Sequence, residues 1–565
     1  MKLQLDRPHV LALAEQFPDL NGLKDQLRFG HRIELRSRQL PADALAFLAD
    51  LFSAGDAALS GRAAQLRGLV ATLDGSAHRF QPGEPLESVL PALVRFLSED
   101  TERGWLFAVN VDGKPLPWVP TRIDYVAGSS EELGKILVEL KAHARAALVS
   151  HSLRITESDL QNQTLATILA SKGFLKETPA LLQAYEASVN RYFEWRGQYG
   201  TQFSAQGMGF LAEDPTATHR DTDWTRKDQV ILSAGGGAAR LVNDEGILPP
   251  RDTRLDSPGE ILAPYLRRAG KSSDYDCEEE IKSLQASLPP RLFKSLPVHA
   301  YLFLFHLELH RHLWVHADDI QPYAYQPDLK DKLVLPAEQT DLIDILTAEM
   351  DVLQDDVVSG KGGGTTVLCA GPPGVGKTLT AEVYAEVTSR PLYRVHSGQL
   401  GLSVAAMETA LKEALTRAQR WGAVMLIDEA DVYIRQRSDD IAANAVVGVF
   451  LRVLEYFDGL LFLTTNRIDD IDEAIVSRCI ALIRYHPPDA AARERIWQVM
   501  AQQFGLPLAP ETITRLAGLY PQASGRDIKG LAKLVAKYCQ HKSVAPDLDV
   551  FARCAMFRAL EPADP

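Results

Sequence analysis

Cysteine is scarce. The 565 residues hold five, at Cys277, Cys369, Cys479, Cys539 and Cys554. None pair at C-x-x-C spacing and the number is odd. A disulfide framework and a cysteine-based zinc site are therefore excluded, and a reducing, cytoplasmic compartment is expected. Long apolar runs are also lacking. No window approaches the roughly 18 apolar residues that a membrane-crossing helix needs. The opening MKLQLDRPHVLALAEQF sets Asp6 and Arg7 where a signal peptide needs its apolar stretch. A surplus of basic residues is missing as well, since the formal net charge is −14. Binding a phosphate backbone needs Lys and Arg gathered on one surface, so nucleic acid is the less favoured partner, with a local basic groove left open. No internal repeat and no long low-complexity tract is present.

What remains is ordinary globular composition, 46% hydrophobic and 24% charged. The length suggests about three or four domains. Residues 1 to about 110 show helical apolar spacing, as at Leu45, Leu48 and Phe52. Residues 120–215 read as helix-rich, notably SSEELGKILVELKAHARAAL, with its serine pair as a helix cap. From about 216 to 290 the chain is polar and rich in turn residues, and QVILSAGGGAARLV reads as strand, glycine turn and strand. VHAYLFLFHLELHRHLWVHADDI has strand composition. SGKGGG, at 359–364, is a flexible approach to a region where strands and helices alternate. That alternation predicts a parallel sheet wrapped by helices. After about residue 487 the pattern is mostly helical.

GPPGVGKT, at 371–378, matches G-x-x-x-x-G-K-[ST] and sits between a buried strand ending at Ala370 and a helix. Gly371, Gly374 and Gly376 let the backbone curl so that its N–H groups face a polyphosphate, with Pro372, Pro373 and Val375 between them. The positive end of the following helix aims at the same charge. Lys377 is expected to reach the β- and γ-phosphates of ATP, and Thr378 to hold Mg²⁺. About fifty residues later AVMLIDEA places two carboxylates at the end of an apolar strand. Asp428 is expected to support Mg²⁺ through its water shell, and Glu429 to orient and activate the attacking water. LFLTTN is a third strand, ending in Asn466, a hydrogen-bonding group for that water or the γ-phosphate; alternatively, Asn-Arg simply begins a turn.

GPPGVGKT, LIDEAD, LTTNR, DEAIVSR and SGRDIKGL occur in the order and spacing of the AAA+ ATPase core, and the resemblance covers about residues 333–545. The chain is most similar to a group of bacterial and fungal AAA proteins with large N-terminal regions. The resemblance implies a P-loop NTPase α/β domain (331–486), a helical lid and tail (487–565), and a mixed α+β N-terminal region (1–330) of one or two subdomains. It implies that Asn466 is sensor 1 and that Arg478 is an arginine finger reaching a neighbouring subunit's ATP. It also implies that Arg526 is sensor 2, coupling the lid to nucleotide state. A ring, a hexamer, follows from the same likeness. Two departures stand out. A single Arg478 in SRC replaces the usual arginine pair, and with the DEAD of 428–431 it resembles clamp loaders, although only about twenty residues follow the lid. The loop GQLGLSVAAME carries Leu400 and Leu402 where unfoldases place an aromatic, which weakens any grip on a threaded peptide. Two functions follow: ATP-driven remodelling of a protein partner selected by the N-terminal region, and, alternatively, an ATP-dependent switch or loader acting on nucleic acid.

Other features favour structural readings. His306, His310, His312 and His316 lie close in sequence, and on one strand they share a face with Glu308; a sheet face of imidazoles is favoured over a metal cluster. CEEEIK reads as a solvated helix start. The glycines at 235–237 read as a hairpin turn. YLFLF is a core strand, and AVVGVFLRVLEYF is a helix for the core and a subunit interface.

Overall fold

The computed structural model describes residues 1–27, 30–55, 59–73, 78–129, 132–145, 147–212, 224, 227–232, 237–248, 261–269, 278–348, 364–400, 404–437, 441–558 and 560–562. The chain divides into two compact units. The first comprises Met1–Tyr199, Phe203–His306 and His310–Gln321; the second comprises Pro322–Pro565 with the short segments Gly200–Gln202 and Leu307–Leu309.

The first unit is mixed, with three sheets. Strands β1 (Lys2–Asp6) and β2 (Arg32–Arg36) pair antiparallel. Against them pack helices Arg7–Gln16, Ala42–Ala54 and Ser60–Val70, the middle one burying Leu45, Leu48 and Phe52. A second sheet has the order β6-β5-β4-β3-β7, from β3 (Leu106–Val109), β4 (Pro115–Val126), β5 (Lys135–Ala144), β6 (Ala147–Thr156) and β7 (Phe174–Lys176). The expected helix over 129–148 is corrected here: from residue 135 the chain forms two antiparallel strands. In KILVELKAHA the residues Ile136, Val138, Leu140, Ala142 and Ala144 are buried and their neighbours are not, the period of two that a half-buried strand requires. The Ser129 hydroxyl accepts from the Glu132 N–H at 3.1 Å with no helix following, and Ser130 lies outside the described residues.

The third sheet has the order β10-β9-β13-β12-β11-β8-β14. Its strands are β8 (Gln202–Ala205), β9 (Met208–Leu211), β10 (Gln229–Ile231), β11 (Ala239–Asn243), β12 (Tyr301–His306), β13 (Arg311–His316) and β14 (Ile320–Pro322). β10 pairs with β9 and β11 with β12, so the strands flanking the glycine run are not partners in a hairpin. Gly235 and Gly236 themselves lie outside the described residues. The histidines do not share one face. The register Phe305↔His312 and Tyr301↔His316 puts His312 and His316 beside the odd-numbered residues of β12, whereas His306 alternates to the other face. His312 stacks on Phe303 and meets the Asp244 carboxylate at 2.7 Å. Among the described residues no group of three or more His, Cys, Asp or Glu is placed to hold a metal ion.

The second unit contains a five-stranded parallel sheet of order β16-β17-β18-β15-β19, built from β15 (Thr365–Ala370), β16 (Leu392–His396), β17 (Val424–Asp428), β18 (Leu460–Thr465) and β19 (Ala481–Arg484). Every residue of β15, β17 and β18 is buried. That is why they read as continuous apolar runs: helices cover both faces of such a sheet. Leu333, Ile343 and Leu346 join the same core. Helices Ala490–Gln503, Pro510–Leu519, Gly525–Lys542 and Leu548–Met556 gather around Trp497, Leu516, Leu531 and Phe551 as a separate helical core. No described helix is long and apolar enough to cross a membrane.

Candidate nucleotide-binding site

Three strand ends meet at the carboxyl edge of the parallel sheet, where open α/β sheets bind ligands. The register Ala370↔Thr465 sets the start of the glycine-rich loop beside Asn466, and the Gly371 N–H donates to the Thr465 carbonyl at 3.2 Å. β17 ends on the other side of β18, at Asp428. The loop turns through Gly374 (φ 83°) and Gly376 (φ 106°), in the left-handed region where a side chain is strained. Helix Lys377–Val387 then starts at once.

Lys377 is buried, and its ammonium donates to the carbonyls of Gly371 and Pro372, both at 2.7 Å, and to Asn466 Oδ1 at 2.9 Å. Burial pushes this ammonium below its ordinary value. The two candidate metal residues touch: Thr378 Oγ1 donates to Asp428 Oδ1 at 3.0 Å. Burial alone would raise the Asp428 carboxyl, but the Thr464 hydroxyl, the Arg394 guanidinium and the Thr378 hydroxyl hold it below the usual carboxylate range. It stays ionised, as a cation site requires.

Glu429 departs from the strand. Its φ is 55°, a left-handed backbone that costs a non-glycine residue about 1–3 kcal/mol. Thr464 holds this turn: its hydroxyl accepts from the Glu429 N–H at 3.0 Å and its carbonyl from the Ala430 N–H at 2.8 Å. The consequence is a division of labour, with Asp428 buried and Glu429 exposed at the mouth of the site. Asp431 fixes the third strand end, accepting from the Thr465 hydroxyl and, at 3.3 Å, from the Asn466 N–H.

Two residues of the site escaped sequence reasoning. Thr464 donates to Asp428 Oδ1 at 2.6 Å while accepting from Glu429, so one hydroxyl ties the two carboxylates together. Arg394 pairs with Asp428 Oδ2. The signal for Arg394 was a charge inside PLYRV, between the buried Tyr393 and Val395; the register His396↔Asp428 brings it to the neighbouring strand's carboxylate.

Lid and loop also meet. The Arg526 N–H donates to the Gly374 carbonyl at 3.2 Å, and a Cβ at Gly374 would stand 2.7 Å from Ser524 Oγ and 3.0 Å from Arg526 Cβ. Ser524 caps helix Gly525–Lys542 with a capping box to Asp527. The Arg526 side chain is exposed. Arg478 is exposed after the short helix Glu473–Val476, donating to the Ala474 carbonyl at 3.2 Å. Arg478 is thus not among the groups gathered around Lys377 and Asp428. The expectation that Leu400 stands at an open loop tip is corrected: it ends a 3₁₀ turn, Ser397–Leu400, with 2% of its surface exposed, so its side chain packs inward. Leu402 lies outside the described residues.

The buried ammonium on two loop carbonyls, the hydroxyl–carboxylate pair of Thr378 and Asp428, and the two positive-φ glycines fit a nucleoside triphosphate with a divalent cation. Sheet order, loop and carboxylates together define a P-loop NTPase domain. A family model described as "ATPase family associated with various cellular activities (AAA)" matches residues 367–486. Spastin of Drosophila willistoni is 30% identical over 179 residues, which are 30% of this chain and 23% of that protein. Spastin of Drosophila melanogaster is 30% identical over 179 residues, 24% of its length. Among solved structures, the FIGL-1 AAA domain in complex with ADP is 21% identical with a TM-score of 0.34, covering 42% of this chain and 85% of that one. Residues 367–486 thus form a domain of the AAA+ ATPase family. The chain spans about a quarter of the length of the curated relatives it matches.

Proposed function

We propose that this chain hydrolyses ATP with Mg²⁺ and uses the cycle to remodel a protein partner, working as a ring-shaped oligomer, a hexamer, in the cytoplasm. The observation that carries the reading is the joint placement of Lys377, Thr378, Asp428, Glu429 and Asn466 at one edge of the parallel sheet. Residues 371–378 would hold the phosphates, with Lys377 neutralising their charge. Thr378 and Asp428 would hold Mg²⁺, which supplies further charge neutralisation. Glu429, exposed and ionisable, orients water and takes up its proton; Asn466 hydrogen-bonds at the same edge. Arg478, exposed and bonded to the Ala474 carbonyl, suits a neighbouring copy's site. Arg526, on the lid helix that touches Gly374, links lid position to the loop. The first unit supplies partner recognition.

Filter retention of labelled ATP tests the core of the reading. The parent chain is expected to retain it and Lys377→Ala to lose it. Glu429→Gln should keep it while turnover falls by about 10²-fold or more. A parent chain that retains no ATP overturns the proposal. Arg478→Ala turning over as fast as the parent removes the shared-site element. Stimulation by duplex DNA and by no protein turns the function to the nucleic-acid alternative.

A further inference from the structure

Arg394 occupies a position that hydrolysis as outlined does not use. It lies on β16 with its guanidinium on Asp428 Oδ2, while Asp428 Oδ1 already accepts from the Thr464 hydroxyl at 2.6 Å and the Thr378 hydroxyl at 3.0 Å. A carboxylate offers about four acceptor positions. Two hydroxyls and a guanidinium thus fill most of them, and Oδ2, the oxygen without a hydroxyl, is the one the arginine holds. A second carboxylate stands close by. Arg394 Nη1 is 3.6 Å from Glu382 Oε1, on the helix that follows the glycine-rich loop, and both side chains are partly exposed, at 38% and 43%. One guanidinium thus faces two acidic side chains, one of them the carboxylate proposed to hold the cation.

We propose that Arg394 is a positioning residue that competes with the divalent cation for Asp428, and that Glu382 is the alternative partner that lets it yield. The inference rests on the ATP and Mg²⁺ reading of the site. The physical reason is twofold. The cation's hydration shell needs acceptor positions on Asp428 that the guanidinium holds, and a fixed positive charge on that carboxylate opposes the arrival of a second. A guanidinium cannot escape by deprotonation, since its proton is held far above neutral pH, so the conflict is resolved only by movement. Glu382, already within ion-pair distance, gives that movement a destination. Arg394 thereby makes metal binding weaker than the hydroxyl and carboxylate groups alone would make it.

The test uses the full chain, a fluorescent non-hydrolysable ATP analogue, and Mn²⁺. For each variant the analogue's affinity is measured in EDTA and with saturating Mn²⁺, and the ratio reports the metal's coupling. Arg394→Gln is expected to raise that ratio about tenfold, with the EDTA affinity within about threefold of the parent. Arg394→Lys, which keeps the charge, should stay within about threefold of the parent ratio. Glu382→Gln, at a partly exposed position, should lower the ratio about threefold, because the arginine loses its alternative partner. An Arg394→Gln ratio equal to or below the parent's overturns the proposal. Should that variant not fold, Glu382→Gln decides: a lowered ratio supports the competition, and an unchanged or raised one refutes it. A parent chain that does not bind the analogue in either condition fails the ATP reading itself, and this inference falls with it. Binding without the predicted ordering of variants refutes the competition alone.

Discussion

Thr464 is the residue on which the geometry makes its sharpest demand. Its hydroxyl donates to Asp428 Oδ1 at 2.6 Å and accepts from the Glu429 N–H at 3.0 Å, with 2% of its surface exposed. Thr464→Val keeps the shape and removes both bonds. A hydrogen bond to a charged group contributes about 1.5–3 kcal/mol, and leaving the part-buried Glu429 N–H unpaired adds at most about 1 kcal/mol. Asp428 keeps its bonds from Thr378 and Arg394, so its position survives in part. Glu429 loses the contact that holds its strained backbone at φ 55°. We therefore expect the stability of the second unit to fall by about 2–4 kcal/mol, read by chemical denaturation. Phosphate release should fall about 10²-fold, the scale of misplacing a catalytic group by an ångström. Nucleotide affinity in EDTA should stay within about threefold, because Lys377 and the loop are untouched. Thr464→Ser, which keeps the hydroxyl, should stay near the parent in turnover. A folded Thr464→Val chain with turnover within about twofold of the parent would refute the claim that this hydroxyl sets the two carboxylates.

Gly374→Ala should weaken nucleotide binding about tenfold, since its backbone is at φ 83° and the new methyl meets Ser524 Oγ at 2.7 Å; unchanged affinity in a fluorescence titration would remove the close approach of lid and loop. Leu400→Asp should act on stability rather than on partner coupling, because it buries a charge at a 2% exposed site and costs about 3 kcal/mol or more. A variant as stable as the parent on thermal unfolding would return a surface role to Leu400. In the first unit, burial pushes the Asp112 carboxyl up from 3.8 to about 6, against the opposing bond from the Tyr301 hydroxyl. The folded chain therefore holds a proton that the unfolded chain has lost between about pH 4 and 6. Stability from this group falls as pH rises through that window, by about 3 kcal/mol, and is level above it. Asp112→Asn should lose that component, so its melting temperature should drop less than the parent's from pH 4 to 7; parallel profiles would refute the assignment.

The candidate nucleotide site was legible in the sequence because its elements are local. A glycine-rich loop between a buried strand and a helix, and a carboxylate pair ending an apolar run, need only the chain's own periodicity to be placed. The same local logic misread 129–148: SSEEL reads as a capped helix start, and only the pairing of β5 with β6 selects the period of two over the helical one. It misplaced Leu400 as well, since loop composition does not say which side chain the adjoining helix covers.

What the sequence alone determined is the chemistry available: which loop can wrap phosphates, which carboxylates end a strand, and which family pattern orders them. What only the tertiary structure decided is which groups share a bond. Parallel pairing brings Thr464, Arg394 and Asp428 together from three strands separated by dozens of residues. It is also what splits the adjacent Asp428 and Glu429 into one buried and one exposed carboxylate. Hydrogen bonds across a sheet depend on register, and register is set by burial of whole strands, a property that no single stretch of chain contains.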